Sequence, residues 1–401
     1  MNKIQTLKGF RDFLPEEARK RAWLKEKMIA VFEKWGYQPL ETPTLEPLEL
    51  FQGQIGEEEK LFFKFKDQGD RDVALRYDQT VPTCRVIGQY YNQIVFPFRR
   101  YQIQSAFRAE KPQKGRYREF TQADLDVFGI ASPLADAEII ATTLDLYKTL
   151  GFKKTVALIN NRDLLAGIPY PAIAAIDKLK KIGPEGVIAE MVAKGISKTK
   201  AQEYLNIVRS LKSDDKLNQI FNYLKESGFP EDWYKFEPTL ARSFSYSEGP
   251  IWEIIIPEYG AGSVGGGERY DKLVETISGQ KIPGTGIGIG FDRTLEALEV
   301  CQLLPKFDSI SKVLVMVFSP ELIFQSIKVA NLLKQNNIAT EIYPDPQVKL
   351  DKQLKYADRM SIPYAIIIGP EEVASDTVVL KNLYTGSQEK ISQNSLISQL
   401  K

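Results

Sequence analysis

The 401-residue chain contains no histidine. Imidazole general bases, serine-histidine triads and histidine metal ligands are therefore excluded, and any catalysis must run on arginine, carboxylates, amides or a bound metal. Cysteine is almost as scarce. Cys84 and Cys301 stand far apart in sequence and support neither a disulfide framework nor a zinc site, which fits a reducing compartment. No apolar run approaches the length that spans a bilayer, and the opening "MNKIQTLKGFRDFLPEE" lacks the apolar core of a signal peptide. The expectation is a cytoplasmic protein with no membrane partner. Internal repeats and low-complexity tracts are missing too. Charge is balanced, at +1 net, so attraction for a polyanion must come from local patches and not from the overall field.

What remains is an ordinary globular composition, 43% hydrophobic and 26% charged, in a chain long enough for two or three domains. Residues 15–36, "PEEARKRAWLKEKMIAVFEKWG", put Leu24, Met28, Val31, Phe32 and Trp35 on one helical stripe, opened by Pro15 and two glutamates and closed by Gly36. Alternating segments at 61–67, 72–78 and 101–107 predict antiparallel strands, with a hairpin loop beginning at Arg108. "ADAEIIATTLDLYKTLGF" predicts a helix, and residues 165–235 break into short lysine-rich helices. Strand signals resume at "IWEIIIPEYGAGSVGGGERYDKL", and "IPGTGIGIGFDRTLEALEV" predicts a glycine-rich strand feeding a helix. Beyond the linker "LPKFDSIS", strands "KVLVMVF" and "PYAIIIG" alternate with helices near 320–336 and 350–360, the pattern of a small α/β domain with a largely parallel sheet.

The densest local charge is in "FRAEKPQKGRYREF", where between Arg108 and Arg118 five basic side chains, Arg108, Lys111, Lys114, Arg116 and Arg118, stand against one acid, Glu110. Strand alternation puts Arg108 and Glu110 on one face, so a guanidinium able to grip phosphate bidentately stands beside a carboxylate able to accept from an exocyclic amine. A solvated hairpin tip is the competing reading. The glycines at 284, 286, 288 and 290 leave a second choice open, either a strand packed tightly on a helix or one whose face approaches a flat ligand, with Arg293 opening the next helix. This glycine run has neither dinucleotide-fingerprint nor phosphate-loop spacing. Arg108, Arg242 and Arg293 lie on or near strand ends, a set that converges on a triphosphate if the fold brings them together.

Taken in order, these segments resemble the histidyl-tRNA synthetases, a family of class II aminoacyl-tRNA synthetases, over essentially the whole chain. "KGFRDFLPEEA" resembles the family's opening, "TPTLEPLELF" with Pro43 its motif 1, "FRAEKPQKGRYREF" its motif 2 and "GIGIGFDR" its motif 3. "ALRYDQTVP", "GGGERYDKL" and the C-terminal "KQLKYADRMSIPYAIIIG" stand in the expected places. The resemblance implies an α+β protein. Its antiparallel-sheet catalytic domain would comprise residues 1–164 and 236–303, with a helical insertion at 165–235 and an α/β anticodon-binding domain at 311–401. It further implies a homodimer that activates histidine with ATP and Mg2+ and transfers it to tRNA, contacted at its acceptor stem and anticodon.

Carried over residue by residue, Arg108 would hold the α-phosphate, Glu110 the adenine amine, and Phe120 the adenine ring. Arg116 and Arg293 would grip the outer phosphates, and Lys111, Gln113 and Lys114 would meet the acceptor stem. Asp78, Thr80 and Gln122 would bind the α-amino end of the amino acid, Asp126 would face the imidazole, and Tyr246 and Tyr270 would complete the substrate pocket. Arg242 would be the catalytic arginine beside Arg108, touching the substrate carboxylate and the α-phosphate. No magnesium ligand is implied. Such chemistry needs no histidine: the attacking carboxylate is already ionised, so positioning and charge neutralisation suffice.

Several residues depart from the family pattern. Where Gly-Leu-Asp-Tyr-Tyr-Thr follows the catalytic arginine, this chain has Ser243-Phe244-Ser245-Tyr246-Ser247-Glu248, replacing the second tyrosine by serine. Glu268 interrupts a glycine run, and Thr121 and Asn161 stand where histidine is frequent. Glu248 reads either as solvent-facing or as a carboxylate reaching the second ring nitrogen. The rival functions are a paralogue with a changed amino-acid preference and a non-catalytic tRNA sensor or regulatory subunit.

Overall fold

The computed structural model describes residues 4–53, 60–111, 117–242 and 246–400, excepting the side chain of Asn394. The chain divides into two compact units, Met1–Leu304 and Pro305–Lys401.

The frame of the first unit is set by the hairpin of Phe98–Phe107 and Glu119–Phe128, paired antiparallel from Phe98 opposite Phe128 to Phe107 opposite Glu119. Period-two alternation gives its faces opposite character. On one face Tyr101, Ile103, Ala123, Leu125 and Val127 enter the main core. On the other, the opposed pairs are Arg100 with Asp126, Gln102 with Asp124, and Gln104 with Gln122. Among the described residues the sheet grows to eight strands, ordered Gln38–Pro39, Phe98–Phe107, Glu119–Phe128, Gly284–Gly290, Ser263–Arg269, Glu248–Ile255, Val156–Asn161 and Tyr234–Phe236. Its central pairings are antiparallel, and the two edge strands add in parallel.

Helices Pro15–Lys34, Pro133–Thr149 and Phe291–Val300 cover the apolar face. The first starts on Pro15, which supplies a preset φ where no hydrogen bond is lost, and buries Leu24, Met28, Val31 and Phe32. Trp35 is only half-buried, and its indole N–H donates to Asp145 at 2.8 Å. On the same face Gly267 makes room for the buried Trp252, since a Cβ at 267 would lie 2.2 Å from the indole.

The lysine-rich region contains Tyr170–Ile176, Leu179–Ala193 with a break at Gly183, Lys198–Ser210 and Asp215–Glu226. The first three helices share a small core of their own. The last does not: Leu217, Ile220 and Leu224 join the main core, and Tyr234–Phe236 then edges the large sheet. Of the segment 61–67, only Lys64–Lys66 forms a strand, in a three-stranded sheet with Asp72–Leu75 and Leu45–Pro47.

The second unit holds a five-stranded sheet ordered Thr340–Ile342, Val313–Val315, Tyr364–Ile367, Thr377–Asn382 and Gln388–Ser392. The first three strands are parallel and carry the crossover helices Ile323–Gln335 and Leu350–Arg359. The last two are antiparallel, so the sheet is mixed and not largely parallel. For the last pairing the cause is local: the tight turn at 382–387, with Gly386 at φ +75°, sends the chain straight back, while Thr377–Asn382 returns beside Tyr364–Ile367 after the short helix Pro370–Ala374.

Candidate active site

The polar face of the large sheet opens into a cleft of about 250 Å³. Strand register orders it into three rows about 6.7 Å apart, two residues of strand per step. In the outer row Gly290 opposes Gln122. Arg293, in the first turn of the following helix, packs its side chain on Gly290 and donates to the Ser263 carbonyl at 2.7 Å. In the middle row Gly266, Gly288 and Asp124 lie side by side, and the Arg242 guanidinium spreads over Gly266. In the deep row Glu268 opposes Gly286, which opposes Asp126. The glycines are a close-approach surface: a Cβ at 266, 286 or 288 would strike Arg242, Asp126 or Gln122 within 2.6 Å.

Arg108 sits just past the hairpin strand, its guanidinium 4.2 Å from the Tyr77 ring and 5.0 Å from Phe120. These aromatic faces hold the cation in a fixed plane. Asp78 is buried just ahead of the helix Thr80–Gln89 and accepts from the Val81 N–H at 3.2 Å. Burial pushes its carboxyl up to about 6, against the opposing pull of Arg108. Asp124 is carried further, to about 8, again by burial. Arg242 has the left-handed φ of +45° and lies 3.2 Å from Glu268. Burial works against its charge, but Glu268 and Glu253 outweigh that and raise its pKa.

Nine of the expected residues line this one cleft: Asp78, Thr80, Arg108, Phe120, Gln122, Arg242, Tyr246, Tyr270 and Arg293. Glu110 is half-buried outside it, its carbonyl accepting from Arg118. Arg116, Gln113 and Lys114 lie outside the described residues. Asp126 is placed differently from the expectation. It is on the predicted face, but its carboxylate does not line the cleft: one oxygen accepts the Tyr270 hydroxyl, and the other lies 2.6 Å from the fully buried Arg100. Burial raises the Asp126 pKa while Arg100 opposes the rise. The ring that meets the cleft at this point is Tyr270, with Asp126 and Arg100 behind it. Glu248 is also outside, paired with Lys272.

Sequence reasoning passed over Tyr77, Arg100 and the position of Glu268. Arg100 carried a readable signal, being two residues from Gln102 and four from Gln104 on the polar face. Glu268 carried one only as a break in the glycine run; the structure puts it on the cleft wall, 5% exposed, with the Ser247 hydroxyl donating to it. Thr121 accepts from Arg21 at 2.6 Å and donates its N–H to Asp292, while Asn161 caps the following turn by accepting from the Asp163 N–H. Neither is in the cleft.

An antiparallel sheet whose glycine-floored face is ringed by arginines from separate motifs, in a chain with a second, mixed-sheet unit, defines a class II aminoacyl-tRNA synthetase. A family model for histidyl-tRNA synthetase matches residues 9–181 and 172–294, and one for an anticodon binding domain matches residues 312–401. The chain belongs to the histidyl-tRNA synthetase family. It is 36% identical over 434 residues to the histidine–tRNA ligase of Clostridium tetani, covering 100% of this chain and 98% of that one. With its counterpart from Cytophaga hutchinsonii it shares 35% identity over 453 residues, covering 100% of both. The crystal structure of histidyl-tRNA synthetase from Nostoc sp. matches at TM-score 0.82 and 28% identity, over 100% of this chain and 99% of that one.

Proposed function

We propose that the protein activates histidine with ATP, forming histidyl-adenylate, and transfers the histidyl group to tRNA. The observation that carries this reading is the meeting of Arg108, Arg242 and Arg293, from three distant segments, in one cleft with Asp78. A carboxylate at the mouth of a buried helix N-terminus suits an α-ammonium. Arginines along the outer rows suit a carboxylate followed by a phosphate chain. The substrate carboxylate attacks the α-phosphorus, the bond to the β-phosphate breaks, and pyrophosphate leaves. No proton transfer is required, which is why a cleft without histidine is sufficient.

Arg242 and Arg108 neutralise the charge that develops at the α-phosphate, and Arg293 addresses the outer phosphates. Among the described residues no cluster of three acidic or cysteine side chains forms a metal cage. Mg2+, held mainly by substrate phosphates with one or two carboxylates, would add charge neutralisation along the phosphate chain. The second unit would read the anticodon, the active form would be a homodimer, and the compartment the cytoplasm. Among the described residues no helix is long and apolar enough to cross a membrane.

Entry of Glu268 into the cleft favours a second reading, a ligase with a changed amino-acid preference. The three arginines and the anticodon-binding unit count against a non-catalytic paralogue. ATP–pyrophosphate exchange with each of the twenty amino acids tests all three: histidine should stimulate best, another amino acid stimulating better transfers the assignment to it, and no exchange at all leaves the non-catalytic reading.

A further inference from the structure

Two departures from the family pattern, Ser247 and Glu268, touch each other. The Ser247 hydroxyl donates to one Glu268 oxygen, and the other oxygen lies 3.2 Å from Arg242. A lost tyrosine ring and a gained glutamate thus occupy one space, and the result is a buried, ion-paired carboxylate on the cleft wall. Register puts it in the deep row, past Arg242 when counted from Arg293, at the end left for the side chain of the amino acid.

Across that row Gly286 has no side chain, and the Asp126 carboxylate folds over it, so the deep row runs from Glu268 on one strand to the Asp126–Tyr270 pair on the other side. On the far side stands Tyr270, whose hydroxyl proton is committed to Asp126, leaving its oxygen to accept. Both walls therefore offer acceptors to whatever lies between Glu268 and Tyr270. A neutral imidazole has one N–H donor and one bare nitrogen, and the bare nitrogen would face an acceptor; an imidazolium presents two donors.

We propose that Glu268 is a specificity-determining residue that makes the cleft select the protonated, imidazolium form of its substrate, accepting one ring N–H while the Tyr270 hydroxyl accepts the other. This rests on the histidine reading above.

The test is calorimetric titration of the intact protein with histidine at pH 7.5, in two buffers of different ionisation enthalpy. A free imidazole of pKa about 6.5 is roughly one-tenth protonated at that pH, so binding should take up about 0.9 proton. In Glu268→Gln the uptake should vanish while histidine still binds, more weakly. Binding without proton uptake in the unmodified protein overturns the proposal, and so does equal uptake in Glu268→Gln, which would place the proton where Glu268 has no part in holding it. If Glu268→Gln fails to fold, the two ring-N-methylated histidines serve on the unmodified protein: both should bind at least about tenfold more weakly, and full affinity for either overturns the proposal. Histidine that does not bind at all, with exchange supported by another amino acid, is a different result and sinks the functional reading itself.

Discussion

Gly266→Ala tests whether the middle row of the cleft is the place where chemistry is positioned. A Cβ at 266 would lie 2.1 Å from Arg242 Nη1 and 3.0 Å from its Cζ. Ordinary contact begins near 3.4 Å, so the guanidinium must retreat by about 1.3 Å. Gly266 is not in the left-handed region, and alanine there restricts the unfolded chain, a gain of about 0.4–1 kcal/mol. The atom displaced is the far end of a flexible side chain, so the fold should accommodate the methyl with little net change in stability. Catalysis should not: misplacing a reacting group by about 1 Å costs on the order of 100-fold, or about 2.7 kcal/mol of transition-state stabilisation. Histidine-dependent pyrophosphate exchange should therefore fall about 100-fold in kcat, with thermal denaturation and ATP binding near normal. A folded Gly266→Ala protein whose exchange stays within about threefold of the parent would refute the positioning of Arg242 over this glycine.

Arg242→Ala should lower adenylation by roughly two to three orders of magnitude, the usual cost of one transition-state charge donor, and near-normal exchange in the folded variant would remove Arg242 from the mechanism. It also leaves Glu268 with Ser247 alone, so its melting temperature should drop and recover when Glu268→Gln is added. A protein ending at Leu304 should keep pyrophosphate exchange and lose tRNA charging, measured with labelled histidine, because Pro305–Lys401 packs as its own unit. Asp78 titrates near 6 in the fold, and its ionised form is the one that holds an α-ammonium. Exchange should hence fall as pH drops through about 6; a Asp78→Asn variant should be slow and flat across that range, and an acid limb that persists in the variant would assign the titration elsewhere.

Much of the architecture was legible in the chain before folding is considered. The helix of Pro15–Lys34, the hairpin of Phe98–Phe107 and Glu119–Phe128 and the strand-to-helix passage at Gly290 are written in short-range periodicity, caps and turn residues, which act within a few positions of each other. Ordered motifs added the cleft residues, and nine of those named do line one cleft. The mixed sheet of the second unit escaped because its final antiparallel pair depends on one tight turn, a weaker signal than the helices that precede it.

What the sequence determined by itself was which residues alternate to a polar face and in what order the motifs arrive, since both are properties of local chain geometry. Which residues meet across that face was decided only by tertiary structure. Asp126, Gly286 and Glu268 are separated by more than a hundred positions, or by an intervening helix, and they form a row solely because three strands pair in one register; a shift of one residue would turn each to the other side. The same register puts Tyr270 and not Asp126 on the wall of the cleft, and brings Ser247 against Glu268, so that two isolated departures in the sequence become one carboxylate facing the cleft.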